Sequence, residues 1–159
     1  MPAPLPVVHG MLICDLVLKE AGTNKHSAIG IFTDVYASSF PMTLNPLAVY
    51  ICLGDAEGQY ELAVELGNLD RNEVLGRLGG LRFEARDRLA SHDFGIRFVN
   101  TVFPRPGTYE FRLLADGRPL GSKTLRVRQL PKGAPGAPPG VSPAGPIAPG
   151  AGPDDLRSS

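Results

Sequence analysis

Apolar and polar residues take turns along most of the chain up to Leu130, with the period of two that a strand imposes on its faces. From Val8 to Leu18 the even positions Val8, Leu12, Cys14, Leu16 and Leu18 are apolar, and Asp15 and Lys19 sit among Met11, Ile13 and Val17 on the odd face. This predicts a strand with one core face and one mixed face. The polar break Gly22-Thr23-Asn24-Lys25 then leads into a second run, Ala28 to Tyr36, as in a hairpin. Leu47 to Leu53 is apolar throughout and reads as a strand buried on both faces. After the turn residues Gly54-Asp55-Ala56-Glu57-Gly58, the residues Tyr60, Leu62, Val64 and Leu66 alternate with polar neighbours.

Asp70 to Leu78 is the ambiguous stretch. Asp70 with Glu73 fits a helix cap, but Gly76, Gly79 and Gly80 oppose a helix of more than two turns, so a short edge strand is predicted. Leu81 to Arg86 and Phe94 to Phe98 alternate as half-buried strands. The last pair flanks Asp116-Gly117, a hairpin signal. A two-residue loop there would put Leu125 and Val127 on the face opposite Tyr109, Phe111 and Leu113. One extra residue must therefore be absorbed, by a longer loop at Gly117 or a bulge at Gly121.

About seven to nine short strands without βαβ alternation predict an all-β, antiparallel sandwich, immunoglobulin-like or related, with a closed barrel as the alternative. The core is expected to draw on Leu12, Leu16, Ile29, Ile31, Phe32, Val49, Ile51, Leu62, Val64, Phe83, Phe94, Ile96, Phe98, Tyr109, Phe111, Leu113 and Val127. From Pro131 onward the composition changes to Pro, Gly and Ala with little to bury. The organisation expected is one domain over residues 1–130 and a disordered tail over 131–159. A solubilising or tethering role for that tail is favoured over a Pro-rich ligand.

Sixteen Lys and Arg balance sixteen Asp and Glu in 159 residues, and the signs are interspersed. Charge of this kind leaves no footprint for nucleic acid or an anionic membrane, so neither is expected as a partner. The start Met1-Pro2-Ala3-Pro4-Leu5-Pro6 lacks the features of a secretory signal, and no apolar run approaches bilayer length, which points to the cytoplasm. Cys14 and Cys52 each lie inside an apolar run and read as free thiols.

Three segments together carry a resemblance: Leu12-Ile13-Cys14-Asp15, Gly30-Ile31-Phe32 leading to Phe40-Pro41, and Phe103-Pro104-Arg105-Pro106-Gly107-Thr108-Tyr109-Glu110-Phe111 with Asp116-Gly117 beyond. The pattern resembles a family of small bacterial all-β proteins known as a domain of unknown function. Its motifs are turn and core residues. The resemblance implies a bacterial, non-secreted β domain and transfers no catalytic residue.

Candidate chemistry is thin. Of His9, His26 and His92, only His92 has a neighbouring carboxylate, Asp93, and adjacent strand residues point to opposite faces. Asp15 and Asp34 could meet across a hairpin, although pairing with Lys19, Lys25 or an Arg is the more ordinary fate. Gly76-Arg77-Leu78-Gly79-Gly80 lacks the Gly-Lys-Ser/Thr ending of a phosphate loop. No catalytic, cofactor-binding or metal residue is assigned, and no cofactor is expected. The function expected is a non-enzymatic binding or structural module with a protein partner or a second copy of itself. The alternative is a small-ligand-binding or enzymatic domain using Asp15, Asp34 or His92.

Overall fold

The computed structural model describes residues 3–131, and the tail expected beyond Pro131 lies outside the described residues. The described chain is all β, in twelve strands: β1 Val7–Cys14, β2 Leu16–Lys19, β3 His26–Ile29, β4 Asp34–Ala37, β5 Met42–Leu44, β6 Leu47–Gly54, β7 Gly58–Asn68, β8 Glu73–Ala85, β9 His92–Phe98, β10 Thr101–Phe103, β11 Gly107–Ala115 and β12 Arg118–Gln129. Two larger sheets have the orders β1-β6-β9 and β4-β12-β11-β7-β8, and two small ones pair β2 with β3 and β5 with β10. Every pairing is antiparallel except β12 with β4, which is parallel.

The core is fed by both larger sheets. Met11, Ile13, Val49, Ile51, Leu53 and Ile96 come from the three-stranded sheet, and Tyr60, Leu62, Val64, Leu66, Tyr109, Phe111, Leu113, Leu125 and Val127 from the five-stranded one. Burial of these apolar side chains is the main favourable term in folding.

Twelve strands replace the seven to nine expected because two predicted runs are each broken and two short strands, β5 and β10, are added, while two predicted runs merge in β8. The first breaks at Asp15, whose N–H donates to the Ile29 carbonyl at 3.0 Å, so that β2 leaves the three-stranded sheet to pair with β3. The second breaks at Gly30, which sits at φ 69°. A Cβ there would lie against the Asp15 carboxylate. The small β5–β10 pair carried no period-two signal over its three residues.

The first break also corrects the expected core. In β1 the odd residues Met11 and Ile13 face the core, and Leu12 faces away from it. Ile29 and Ile31, expected inside, are 44% and 56% exposed. Alternation alone could not decide the face because the β2–β3 hairpin covers the other side of the sheet: a Cβ at Gly95 would come within 2.6 Å of the Val17 side chain. Both faces of this sheet therefore carry apolar residues.

The β11–β12 hairpin has a two-residue loop, with Ala115 opposite Arg118 and with Asp116 and Gly117 at φ 49° and 79°. The extra residue demanded by the parity of the apolar positions is absorbed just beyond, where Leu114 pairs with Pro119 but Leu113 pairs with Gly121. Leu125 thereby comes opposite Tyr109, and both face the core. Gly121 is needed for space, since a Cβ there would press on Val8 of β1 at 3.2 Å.

Asp70 to Leu78 forms no helix. Glu73 to Gly80 is the first part of β8, continuous with the strand expected from Leu81, at the edge of the five-stranded sheet.

Candidate functional site

The residues singled out from the sequence do not converge. Asp15 lies at the β1–β2 junction, where burial pushes its carboxyl above the usual range. Asp34 begins β4 on the five-stranded sheet, opposite Arg126 of β12. Its carboxylate binds Arg126 at 3.0 Å and Arg128 at 3.1 Å. Partial desolvation pushes this carboxyl up, but the Thr33 hydroxyl and the two guanidiniums together hold it below the ordinary value. His92 starts β9, with its ring 5.1 Å from that of Phe83. These three residues have separate partners in separate parts of the fold.

What the sequence reading missed is a polar cluster on the outward side of the three-stranded sheet. Register places Cys52 of β6 beside Asp93 of β9, and Tyr50 two residues before Cys52 on the same face. The Tyr50 hydroxyl donates to Asp93 Oδ1 at 2.6 Å. That bond, against some desolvation, holds the Asp93 carboxyl below its ordinary value and drives the Tyr50 hydroxyl well above its own. Burial, followed by the nearby Asp93 carboxylate, pushes the Cys52 thiol up, so it stays protonated at neutral pH. The His26 ring of the covering hairpin lies 6.4 Å from the Tyr50 ring, and its Nδ1 is buried without a partner. This arrangement ties β6 to β9 beneath the hairpin. It does not activate a nucleophile, which needs a lowered thiol pKa or a base in contact. The only sequence signal was alternation of Tyr50 and Cys52 inside an apolar run, and their acceptor is 43 residues away from Tyr50. Among the described residues no three His, Cys, Asp or Glu side chains gather as a metal site.

A further surface feature lies along β8. An open groove of about 510 Å³ is bordered by Gln59, Tyr60 and Glu61 of β7, by Arg82, Phe83 and Glu84 of β8, and by Asp116. The side chains of Tyr60 and Phe83 stack with centroids 5.3 Å apart on the core side of the sheet, so the groove itself is walled by the polar side chains of Gln59, Glu61, Arg82, Glu84 and Asp116. Tyr60 is held from behind, where its hydroxyl donates to the Pro4 carbonyl at 2.7 Å. Asp116 is fixed as well, accepting from the Glu61 N–H at 2.9 Å. From Leu81 to Ala85 the strand pairs with β7 without irregularity, and among the described residues its outer edge has no partner strand.

Residues 9–128 match the model of the family of unknown function DUF6941. The chain belongs to that family. The match covers nearly all of the described β region, in agreement with the resemblance carried by its turn and core residues. No curated protein matches the chain.

Among solved structures, the chain is similar to the Pseudomonas fluorescens alkylpurine DNA glycosylase AlkC bound to DNA containing an abasic site analog, at 13% identity and a TM-score of 0.37. The alignment covers 77% of this chain and 30% of the glycosylase. So loose a likeness assigns no activity. Nor does it bear on partners, but the expectation that nucleic acid is no partner does not stand, because it was drawn from overall charge balance alone. Balance over a whole chain bounds only its net field and does not describe local patches.

Among the described residues no helix is long and apolar enough to cross a membrane.

Proposed function

We propose that the region up to Leu130 is a single immunoglobulin-like β-sandwich domain that serves as a binding module, taking an extended, basic peptide segment along β8. The sandwich reading is supported by the two larger sheets sharing one core, by the parallel β4–β12 pair, and by Tyr109 near the start of β11, whose hydroxyl donates to the Arg105 carbonyl at 2.6 Å. A tyrosine bonded back to the preceding corner in this way is a hallmark of immunoglobulin-type sandwiches. Cytoplasmic placement is in keeping with two cysteines that form no disulfide with each other.

The observation that carries the binding reading is the groove beside an unpaired strand edge. An extended segment laid against Leu81–Ala85 would hydrogen-bond to the free edge and rest its alternate side chains in the groove, as in other cases of strand addition. Glu61, Glu84 and Asp116 outnumber Arg82 along that groove, and this imbalance favours Lys or Arg in the guest.

The test is a titration of the 15N-labelled chain with extended peptides that differ only in carrying Lys or Glu at alternate positions. Binding by the Lys peptide, with shifts in β8 and a loss of about tenfold in Glu84→Lys, is the expected result. Equal response to both peptides, or shifts remote from β8, would remove the proposal.

A further inference from the structure

Two-layer β folds leave strand edges whose unpaired N–H and C=O groups invite another strand, and proteins blunt such edges by shortening or bulging them. Three of the four outer strands of the larger sheets follow that practice. Strand β4 is four residues long. Strand β1 has a register shift between Val8 and Gly10, and β8 has two against β7. Strand β9 has none: all seven residues, His92 to Phe98, stay in register with Leu53 to Leu47. It contains no Pro or Lys, and among the described residues its other edge pairs with no strand and takes part in no further backbone hydrogen bond.

From this edge we infer that the chain pairs with a second copy of itself through β9, antiparallel about a twofold axis at Gly95. The register follows from charge. With Gly95 opposite its own copy, Asp93 of each chain faces Arg97 of the other, on the outward face of the sheet. Arg97 is exposed and forms no ion pair among the described residues. Asp93 is held in place by the Tyr50 hydroxyl. On the core side the same register sets Phe94 against Ile96 and His92 against Phe98. Phe94, Phe98 and His92 are each only half-buried, so cross-strand contact would cover the apolar surface they leave open. Slipping the register by two residues loses both charge pairs and sets Asp93 opposite Gly95 or Arg97 opposite Gly95.

The edge is short, so the dimer is of the weak, concentration-dependent kind. Sedimentation of the full 159-residue chain from about 1 to 300 μM is expected to show a monomer–dimer equilibrium. Arg97→Glu, which sets Glu against Asp93 twice, is expected to weaken it about tenfold, whereas Arg77→Glu on β8 leaves it unchanged. Hydrogen exchange gives an independent reading: amides of β9 should gain protection as concentration rises, and those of β8 should not. A monomer throughout the range overturns the inference. So does a dimer that resists Arg97→Glu, or one whose concentration-dependent protection falls on β8 or on the β2–β3 hairpin. Peptide binding at β8 can succeed or fail without bearing on any of these outcomes.

Discussion

Strand β8 closes the five-stranded sheet with 13 residues and two register shifts, whereas β9 closes the three-stranded sheet with 7 residues and none. From Glu73 to Gly80 every residue of β8 is exposed, and only its second half, from Leu81 on, turns side chains inward. In β9 the inward residues pack over their whole run, with Ile96 at 5% exposure and Phe98 set edge-on to Phe111 at 5.3 Å. A bulge twists an edge away from further pairing, so the first half of β8 projects without inviting a long partner strand. An edge anchored in the core on one face and flat along its backbone does the reverse. Protection and exposure thus occur together on β8, while β9 joins firm packing to an open backbone.

Stability measurements can break this contrast. Ile96→Ala should cost about 2–5 kcal/mol in urea unfolding, since it empties a packed site, whereas Val74→Ala at 65% exposure should fall within about 0.5 kcal/mol. Equal costs would mean that the two edges are anchored alike. Gly95→Ala comes next, because the new Cβ meets Val17 at 2.6 Å: a loss of about 1–3 kcal/mol is expected, with chemical shifts moving in β2 and β3. Little change there would show that the hairpin does not press on β9.

Tyr50→Phe is expected to cost about 1–2 kcal/mol at neutral pH by removing the bond to Asp93. The sign of its pH dependence follows from the direction of the shift. Asp93 titrates lower in the folded chain than its reference of 3.8, so the stability it contributes is complete above that reference and is lost as pH falls through the lower folded value. The gap between wild type and Tyr50→Phe should accordingly be widest above about pH 4 and close in more acid solution, as read from unfolding curves at a series of pH values. A gap independent of pH would assign the cost to packing. The smallest effect is expected for Arg77→Ala, whose pairing with Glu65 at 3.7 Å is exposed to solvent: less than about 0.5 kcal/mol, and further reduced by salt.

The contrast between edges also marks how far the sequence could be read. Alternation from Tyr60 to Leu66 and from Tyr109 to Val127 specified those strands and their inward faces, and parity required one extra residue, at Gly117 or Gly121, which the structure absorbs beside Gly121. The same reasoning chose the wrong face for β1, since Leu12 and Met11 are both apolar and nothing local says that a hairpin will cover the second side. No pair among Asp15, Asp34 and His92 came together, while Tyr50, Cys52 and Asp93 did, because contacts between strands depend on register across long separations. Neither the groove along β8 nor the open edge of β9 has a local signature.

Period-two patterning was enough to establish an all-β chain, its main turns and the inward faces of its middle and last strands, since burial acts on each side chain through its own polarity. Which strands neighbour one another, which edges stay bare and which polar groups meet were decided by packing in three dimensions. Those outcomes depend on pairing between residues far apart in the chain, and no run of neighbouring residues encodes that pairing.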